Sequence, residues 1–124
     1  MAVFDLNLAE VRNVVNELAA DGMTRSFYAS YVSACLHISI DEAVKSLDKL
    51  VEDGWLVMKF EIRVSQTLDI IKIVDDFKNY IGEQIEYEGN EYTIDLGNIY
   101  PVYYFGTDYQ KYVLSLKIKN KHSP

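Results

Sequence analysis

The chain of 124 residues has one cysteine, two prolines, one tryptophan and no long hydrophobic run. A single cysteine, Cys35, excludes an internal disulfide framework and is typical of proteins in a reducing cytoplasm. No apolar stretch approaches the roughly 20 residues that a membrane-spanning helix needs. The first residues lack a basic segment followed by a hydrophobic one, so we expect no secretory signal and a cytoplasmic location.

The sequence motifs of common enzyme classes are also missing. The chain has no GxSxG nucleophile elbow, no Walker loop for phosphates and no GxGxxG for dinucleotides. Cys35 lies on an apolar helical stripe, which predicts a buried thiol rather than a nucleophile. His37 and His122 lack the spaced partner ligands that a zinc site demands. We therefore expect no metal, no cofactor and no catalytic site.

Positive charge is scarce, with 12 Lys/Arg against 19 Asp/Glu and a net charge of −7. Residues 1–108 carry a net charge of −11, whereas residues 109–124 carry four lysines and no acid. Binding of nucleic acid depends on clustered cations that neutralise phosphates. The body of the protein is therefore expected to repel a polyanion.

A helix followed by a strand is the clearest pattern in the chain. Ser39 and Glu42 form the capping-box pair of a helix start, and apolar residues then recur at the spacing of one helical face. Asp53-Gly54 supplies a left-handed stop. Beyond the glycine the apolar period changes from 3.6 to 2, which predicts a strand over residues 56–64.

Two helices are predicted before this one. Apolar spacing places them over residues 6–20 and 25–36, with Asn7–Glu10 and Thr24 as N-terminal caps. Three helices and a strand, with a tight turn between the second and third helix, follow the helix-turn-helix order. The chain therefore resembles the winged helix-turn-helix superfamily over about its first 75 residues.

The resemblance implies a fold more firmly than a function, because winged helices serve both as DNA readers and as protein-interaction modules. DNA-binding members often carry a basic wing tip. Here the tip is the neutral Ser65-Gln66-Thr67, and the return strand is predicted over residues 68–74.

Residues beyond 75 are rich in strand signals. Gly89-Asn90 predicts a two-residue hairpin turn. A strand is predicted over residues 99–105, where Pro101 should confine it to a sheet edge or shorten it. Alternation over residues 112–119 predicts a final edge strand, with lysines that protect it from aggregation.

We expect an α+β fold: a three-helix winged helix-turn-helix over residues 1–75, then a small antiparallel β-lobe over residues 76–124, packed as one unit. The lobe is similar to the zinc ribbon that follows a winged helix in some bacterial proteins, although its cysteines are absent. Ile85 and Glu88 stand where a metal knuckle would precede Gly89. Proteins of that arrangement often belong to multi-component bacterial systems, including anti-phage defence, so the resemblance implies a cytoplasmic, partner-binding role.

The exposed positions of the third helix form the first candidate site. They carry two cations against four anions, which favours a solvated or protein-facing surface over contact with bases and phosphates. The protein-interface candidates here are Asp41, Glu42 and Asp48. The alternative is a dimeric DNA-binding regulator that uses Arg25, Lys45, Lys49 and Arg63.

Tyrosines form the second candidate site, since eight of the ten lie between positions 80 and 112. Strand propensity and core filling favour tyrosine, but a small lobe cannot bury both faces of its sheet. Tyrosine is also enriched in protein interfaces, whereas the surrounding acids would oppose single-stranded nucleic acid. The interface candidates are Tyr87, Tyr92, Tyr100, Tyr103 and Tyr104.

The leading hypothesis is a non-enzymatic adaptor, or a small subunit of a multi-component complex, with a protein partner and no membrane contact. The DNA-binding regulator is the rival hypothesis, and a homodimer is compatible with both.

Overall fold

A computed structural model describes the backbone of residues 5–122 and the side chains of residues 5–116. The fold is α+β, with helices followed by a region rich in antiparallel strands, which confirms the predicted class and order. Within the described residues the elements are α1 (Leu6–Asp21), β1 (Ser26–Phe27), α2 (Ala29–Leu36), α3 (Ile40–Glu52), β2 (Leu56–Arg63), β3 (Ile70–Val74), β4 (Gln84–Tyr87), β5 (Asn90–Thr93), β6 (Ile99–Phe105) and α4 (Thr107–His122), with 3-10 turns at Lys78–Tyr80 and Leu96–Asn98.

Two compact units make up the chain. One, which we call the helical unit, comprises Met1–Val57 and Tyr103–Pro124, and the other, the inserted unit, comprises Met58–Val102. The chain leaves the helical unit along β2 and returns to it along β6. In this division the last helix, α4, groups with the first three helices.

The core of the helical unit is formed by one apolar stripe from each of the first three helices and by the end of β6. Phe27 of β1 stacks on Tyr103 with 5.7 Å between ring centroids and lies 5.6 Å from Phe105. Aromatic pairs at this distance add to the stabilisation from area burial. The other buried apolar residues of this unit are Val11, Val15, Ala19, Val32, Ala43, Leu47, Leu50 and Leu56.

Two helix starts differ in how well the sequence predicts them. Ser39 caps α3 as expected, because its hydroxyl accepts from the Glu42 N–H at 3.1 Å. The cap of α1 is Asp5 rather than Asn7, since the Asp5 carboxylate accepts from the Leu8 N–H at 3.0 Å. That hydrogen bond, together with Lys49, lowers the pKa of Asp5. A carboxylate satisfies an orphan amide and also complements the helix dipole.

The second helix begins later than predicted, at Ala29, and Thr24 does not cap it. Ser26 and Phe27 instead form β1, which pairs antiparallel with Tyr104 and Tyr103. The sheet order is β1-β6-β2-β3 and β6 spans Ile99–Phe105, so Pro101 neither places this strand at the edge nor shortens it, and both alternatives are wrong. Pro101 is tolerated because the two-residue β1 ends before it could pair with this position.

The predicted final strand over residues 112–119 is wrong, because these residues lie in α4. The Gly106 N–H donates to the Trp55 carbonyl at 2.8 Å, and this contact sets the start of the helix. The helix then packs along α1. Alternation alone could not reveal this, since Val113 and Leu116 also fit helical spacing with the residues one turn away.

The inserted unit has its own small core of Ile62, Val74 and Ile94. Phe60 and Phe77 pack against this core and contact each other edge to face. The return strand of the β2–β3 hairpin begins at Ile70, after the neutral turn that the sequence predicts. A bulge lies where the register shifts between Ile62 and Arg63. The second sheet is the β4–β5 hairpin.

The turn of the β4–β5 hairpin lies one residue earlier than predicted. Strand pairing ends at Tyr87 and Asn90, so the two-residue turn is Glu88-Gly89. Both have positive φ, 51° at Glu88 and 82° at Gly89. Two consecutive positive φ values define the type I′ turn, which prefers Asn-Gly because asparagine tolerates the left-handed conformation.

Replacing Glu88→Asn should therefore raise the free energy of unfolding, by about 1 kcal/mol, because asparagine adopts a left-handed backbone more readily than glutamate does. Denaturant unfolding followed by circular dichroism measures the change. The matched control is Glu83→Asn, which removes the same charge from an exposed position outside the turn. Equal stabilisation by both variants would mean that charge, not backbone conformation, is responsible.

Candidate protein-interaction surfaces

The outer face of α3 presents acids to solvent. Asp41, Glu42 and Asp48 are exposed and, with Val44 and Lys45, line a shallow depression of about 390 Å³. Glu42 accepts a hydrogen bond from the Asn7 amide at 3.2 Å. The structure thus brings together the three acidic residues that the sequence singled out, on a surface large enough for a partner's side chain.

The four cations proposed to contact DNA are in different situations. Arg25 and Lys45 are exposed, in the segment before β1 and on α3. Lys49 pairs with the carboxylate of Asp5 at 2.9 Å. Arg63, in the inserted unit, pairs with the carboxylate of Glu61, and its side chain is only 17% exposed. Two of the four cations therefore already have carboxylate partners within the chain.

Arg63 belongs to a buried polar cluster on β2. Its Nε and Nη2 both donate to one carboxylate oxygen of Glu61, at 3.0 and 2.6 Å, and the Glu61 side chain is 4% exposed. The guanidinium also lies 4.5 Å from the ring centroid of Tyr100. Hydrogen bonds between an arginine and a carboxylate are charge-assisted and therefore strong in such a shielded position.

Asn98 closes this cluster from the other side. Its amide nitrogen donates to the Arg63 carbonyl at 2.9 Å and to the Ser65 hydroxyl at 2.7 Å, while its oxygen accepts from the Asp95 N–H at 2.9 Å. Asn98 and Glu61 were missed by sequence reasoning. The available signal was the opposite charge at residues 61 and 63, which share one face of a strand.

The tyrosine candidates do not form an exposed surface. Tyr103 is 1% exposed and belongs to the core of the helical unit, so its place among the interface candidates is corrected. Burial raises its pKa to about 12. In the inserted unit the Tyr87 hydroxyl donates to Asp69 at 3.3 Å, and burial raises its pKa. Tyr92, Tyr100 and Tyr104 are half-buried.

Glutamates, rather than tyrosines, occupy the exposed face of the β4–β5 hairpin. Glu86 and Glu91 lie directly opposite each other in the strand register, and both are exposed. Like charges at directly opposed positions destabilise a hairpin. The two glutamates therefore make this face acidic and lower the stability of the hairpin.

Cys35 is exposed, which corrects the expectation of a buried thiol. It lies one helical turn from Tyr31 on α2, and a hydrogen bond between the two raises the pKa of the Tyr31 phenol. Tyr28 and Tyr31 are also exposed, so α2 carries an aromatic outer face.

Sequence reasoning also missed a groove of about 910 Å³ in the helical unit. Trp55 and Tyr109, which both line the groove, stack with 4.7 Å between their ring centroids. The Arg12 guanidinium lies 4.4 Å from the centroid of the tryptophan ring. The Tyr109 hydroxyl hydrogen-bonds to Asn16, and burial raises its pKa to about 12. The sequence analysis did not predict the groove, because α4 forms one of its walls and was predicted as a strand.

In the part of the chain that is described, no cluster of three His, Cys, Asp or Glu residues has the arrangement of a metal site. None of the helices described is both long and apolar enough to pass through a membrane. Comparison with known protein families, curated proteins and solved structures found no match to this chain. Its function must therefore be inferred from the geometry of these surfaces.

Arg63→Ala should destabilise the protein by about 3 kcal/mol, because the buried Glu61 carboxylate loses the guanidinium that pairs with it. Chemical denaturation measures the loss. The double variant Glu61→Met with Arg63→Met should recover most of it, since apolar residues of similar size replace the pair without leaving a buried charge. A loss in the double variant as large as in the single one would contradict this view of the pair.

Proposed function

We propose that the chain is a non-enzymatic protein-interaction module, an adaptor or small subunit, that binds a basic surface of a protein partner through the outer face of α3. The observation that carries the proposal is the charge of this face. Three exposed carboxylates surround the depression, while Lys49, one of the two lysines of α3, is already bound to Asp5.

The winged helix-turn-helix resemblance supports a binding module and stays a prediction. Its support lies in the succession of α2, a short turn and α3, followed by the β2–β3 hairpin. In such a module the third helix is the element that meets DNA. Here its first turn carries Asp41 and Glu42, which stabilise the helix dipole but would face phosphates with the wrong sign.

The cations of the rival DNA hypothesis support it weakly, because Lys49 and Arg63 already bond to carboxylates. Using them on DNA would require breaking these pairs, and for Arg63 it would break a contact with the buried Glu61 carboxylate. The opposed pair of Glu86 and Glu91 on the hairpin also favours a basic protein partner, since such a pair is costly unless a cation relieves it.

A direct test combines nucleic-acid binding with charge removal on α3. We expect no retention on heparin or on mixed-sequence duplex DNA at low salt. A protein that co-purifies with the chain from its native host should, once purified, bind the chain with an affinity that falls as salt rises. The double variant Asp41→Asn with Asp48→Asn should weaken that affinity about tenfold, because two surface ion pairs are lost.

The matched control is Glu83→Gln with Glu88→Gln, which removes two charges from exposed positions of the inserted unit and should leave the affinity unchanged. If the two double variants weakened the affinity equally, net charge and not the outer face of α3 would account for the binding. The chain could instead bind duplex DNA in a salt-sensitive manner. If Arg25→Ala with Lys45→Ala abolished that binding, the hypothesis of a DNA-binding regulator would be supported.

A further inference from the structure

The groove of the helical unit has no role in the function proposed above. Two helices and a turn form it: the C-terminal half of α1, the segment that follows α3, and the first turns of α4. Its volume of about 910 Å³ lies in the range of about 300–1,000 Å³ typical of ligand sites. The lining residues that matter for the argument are Glu17, Asp53, Trp55, Asp108, Tyr112 and Leu116.

The charge of this lining is of one sign. Glu17, Asp53 and Asp108 contribute three carboxylates, and no lysine or arginine is among the eleven lining residues described. The nearby cation, Arg12, is already positioned against the Trp55 ring. An apolar wall with carboxylates around it complements a ligand that combines apolar side chains with cations.

The apolar wall itself is open to solvent. Tyr112 is 62% exposed and Leu116 is 40% exposed, one helical turn apart on α4. Exposed aromatic and aliphatic side chains beside a groove are typical anchors of a binding site. Tyr112 also offers a ring face to a cation, an interaction worth about 0.5–1 kcal/mol at exposed sites.

The geometry points to an amphipathic helix of a partner protein as the occupant, with leucine-like residues against Tyr112 and Leu116 and lysine or arginine residues against Glu17 and Asp108. We choose a helix because the groove offers no strand edge. The Trp55 N–H donates to the Leu50 carbonyl, and its own carbonyl accepts from Gly106. At Trp55 both backbone groups are therefore already bonded within the chain and do not pair with an extended peptide, whereas a helix needs no such pairing. This inference rests on the proposed function in so far as both require a protein partner.

Trp55 supplies the probe, because it is the one tryptophan of the chain and lies in the groove. A synthetic Leu/Lys amphipathic helical peptide of about 15 residues, free of tryptophan, is titrated into the full chain while Trp55 fluorescence is recorded. We expect a saturable change that weakens as salt rises. A Leu/Glu peptide of the same pattern should produce no change.

Variants locate the binding. Tyr112→Ala with Leu116→Ala should weaken peptide binding about tenfold, since truncated anchors commonly cost more than 1 kcal/mol each. Glu17→Gln with Asp108→Asn should weaken it and flatten its dependence on salt. Both pairs are exposed, and far-ultraviolet circular dichroism verifies that each variant folds.

The control for charge is Glu83→Gln with Glu88→Gln in the inserted unit, which should leave peptide binding unchanged. The proposed function is tested by a different variant, Asp41→Asn with Asp48→Asn, so failure of one proposal is distinguishable from failure of the other. Equal binding of the Leu/Lys peptide to the groove variants and the wild-type chain would overturn the inference. So would a Trp55 signal that depends on protein concentration without peptide, together with a dimer in sedimentation, because a second copy would then fill the groove.

Discussion

The helical unit depends on the return of the chain through β6. Two segments far apart in sequence must meet there, and closing so long a loop has an entropic cost. The stack of Phe27 on Tyr103 and the hydrogen bond from Gly106 to the Trp55 carbonyl offset that cost. Gly106 must be glycine at this contact, because a Cβ would lie 2.6 Å from the carbonyl oxygen of Gly54. The first turn of α4, and with it one wall of the groove, follows from this meeting point.

Charge has two different roles in this chain, and counting residues does not separate them. Arg63 and Glu61 form a shielded pair that belongs to the fold, and Lys49 fixes the start of α1 through Asp5. Once these are assigned to structure, exposed acids set the charge of the outer face of α3 and of the β4–β5 hairpin. The acidic character of these surfaces is therefore not evident from the net charge of −7 alone.

Local signals predicted the elements whose stability is local. The cap at Ser39, the change of period after Gly54 and the neutral turn after β2 all appear in the structure as expected. Elements decided by distant partners were mispredicted. Ser26 and Phe27 form a strand only because β6 returns to them, and residues 112–119 form a helix that packs on α1. Tertiary contacts override propensity in such cases.

The candidate surfaces follow the same division. The acids of α3 were predictable, since a helical face can be read directly from its spacing. The groove was not, because its lining comes from three segments and requires a correct α4.

Both surfaces nevertheless meet at one element: α3 carries Asp41 near its start, and Asp53 at its end lines the groove. The helix Ile40–Glu52 spans 13 residues, about 20 Å at the usual rise per residue. One basic partner of ordinary interface size, about 800 Å² per side, is therefore large enough to contact both.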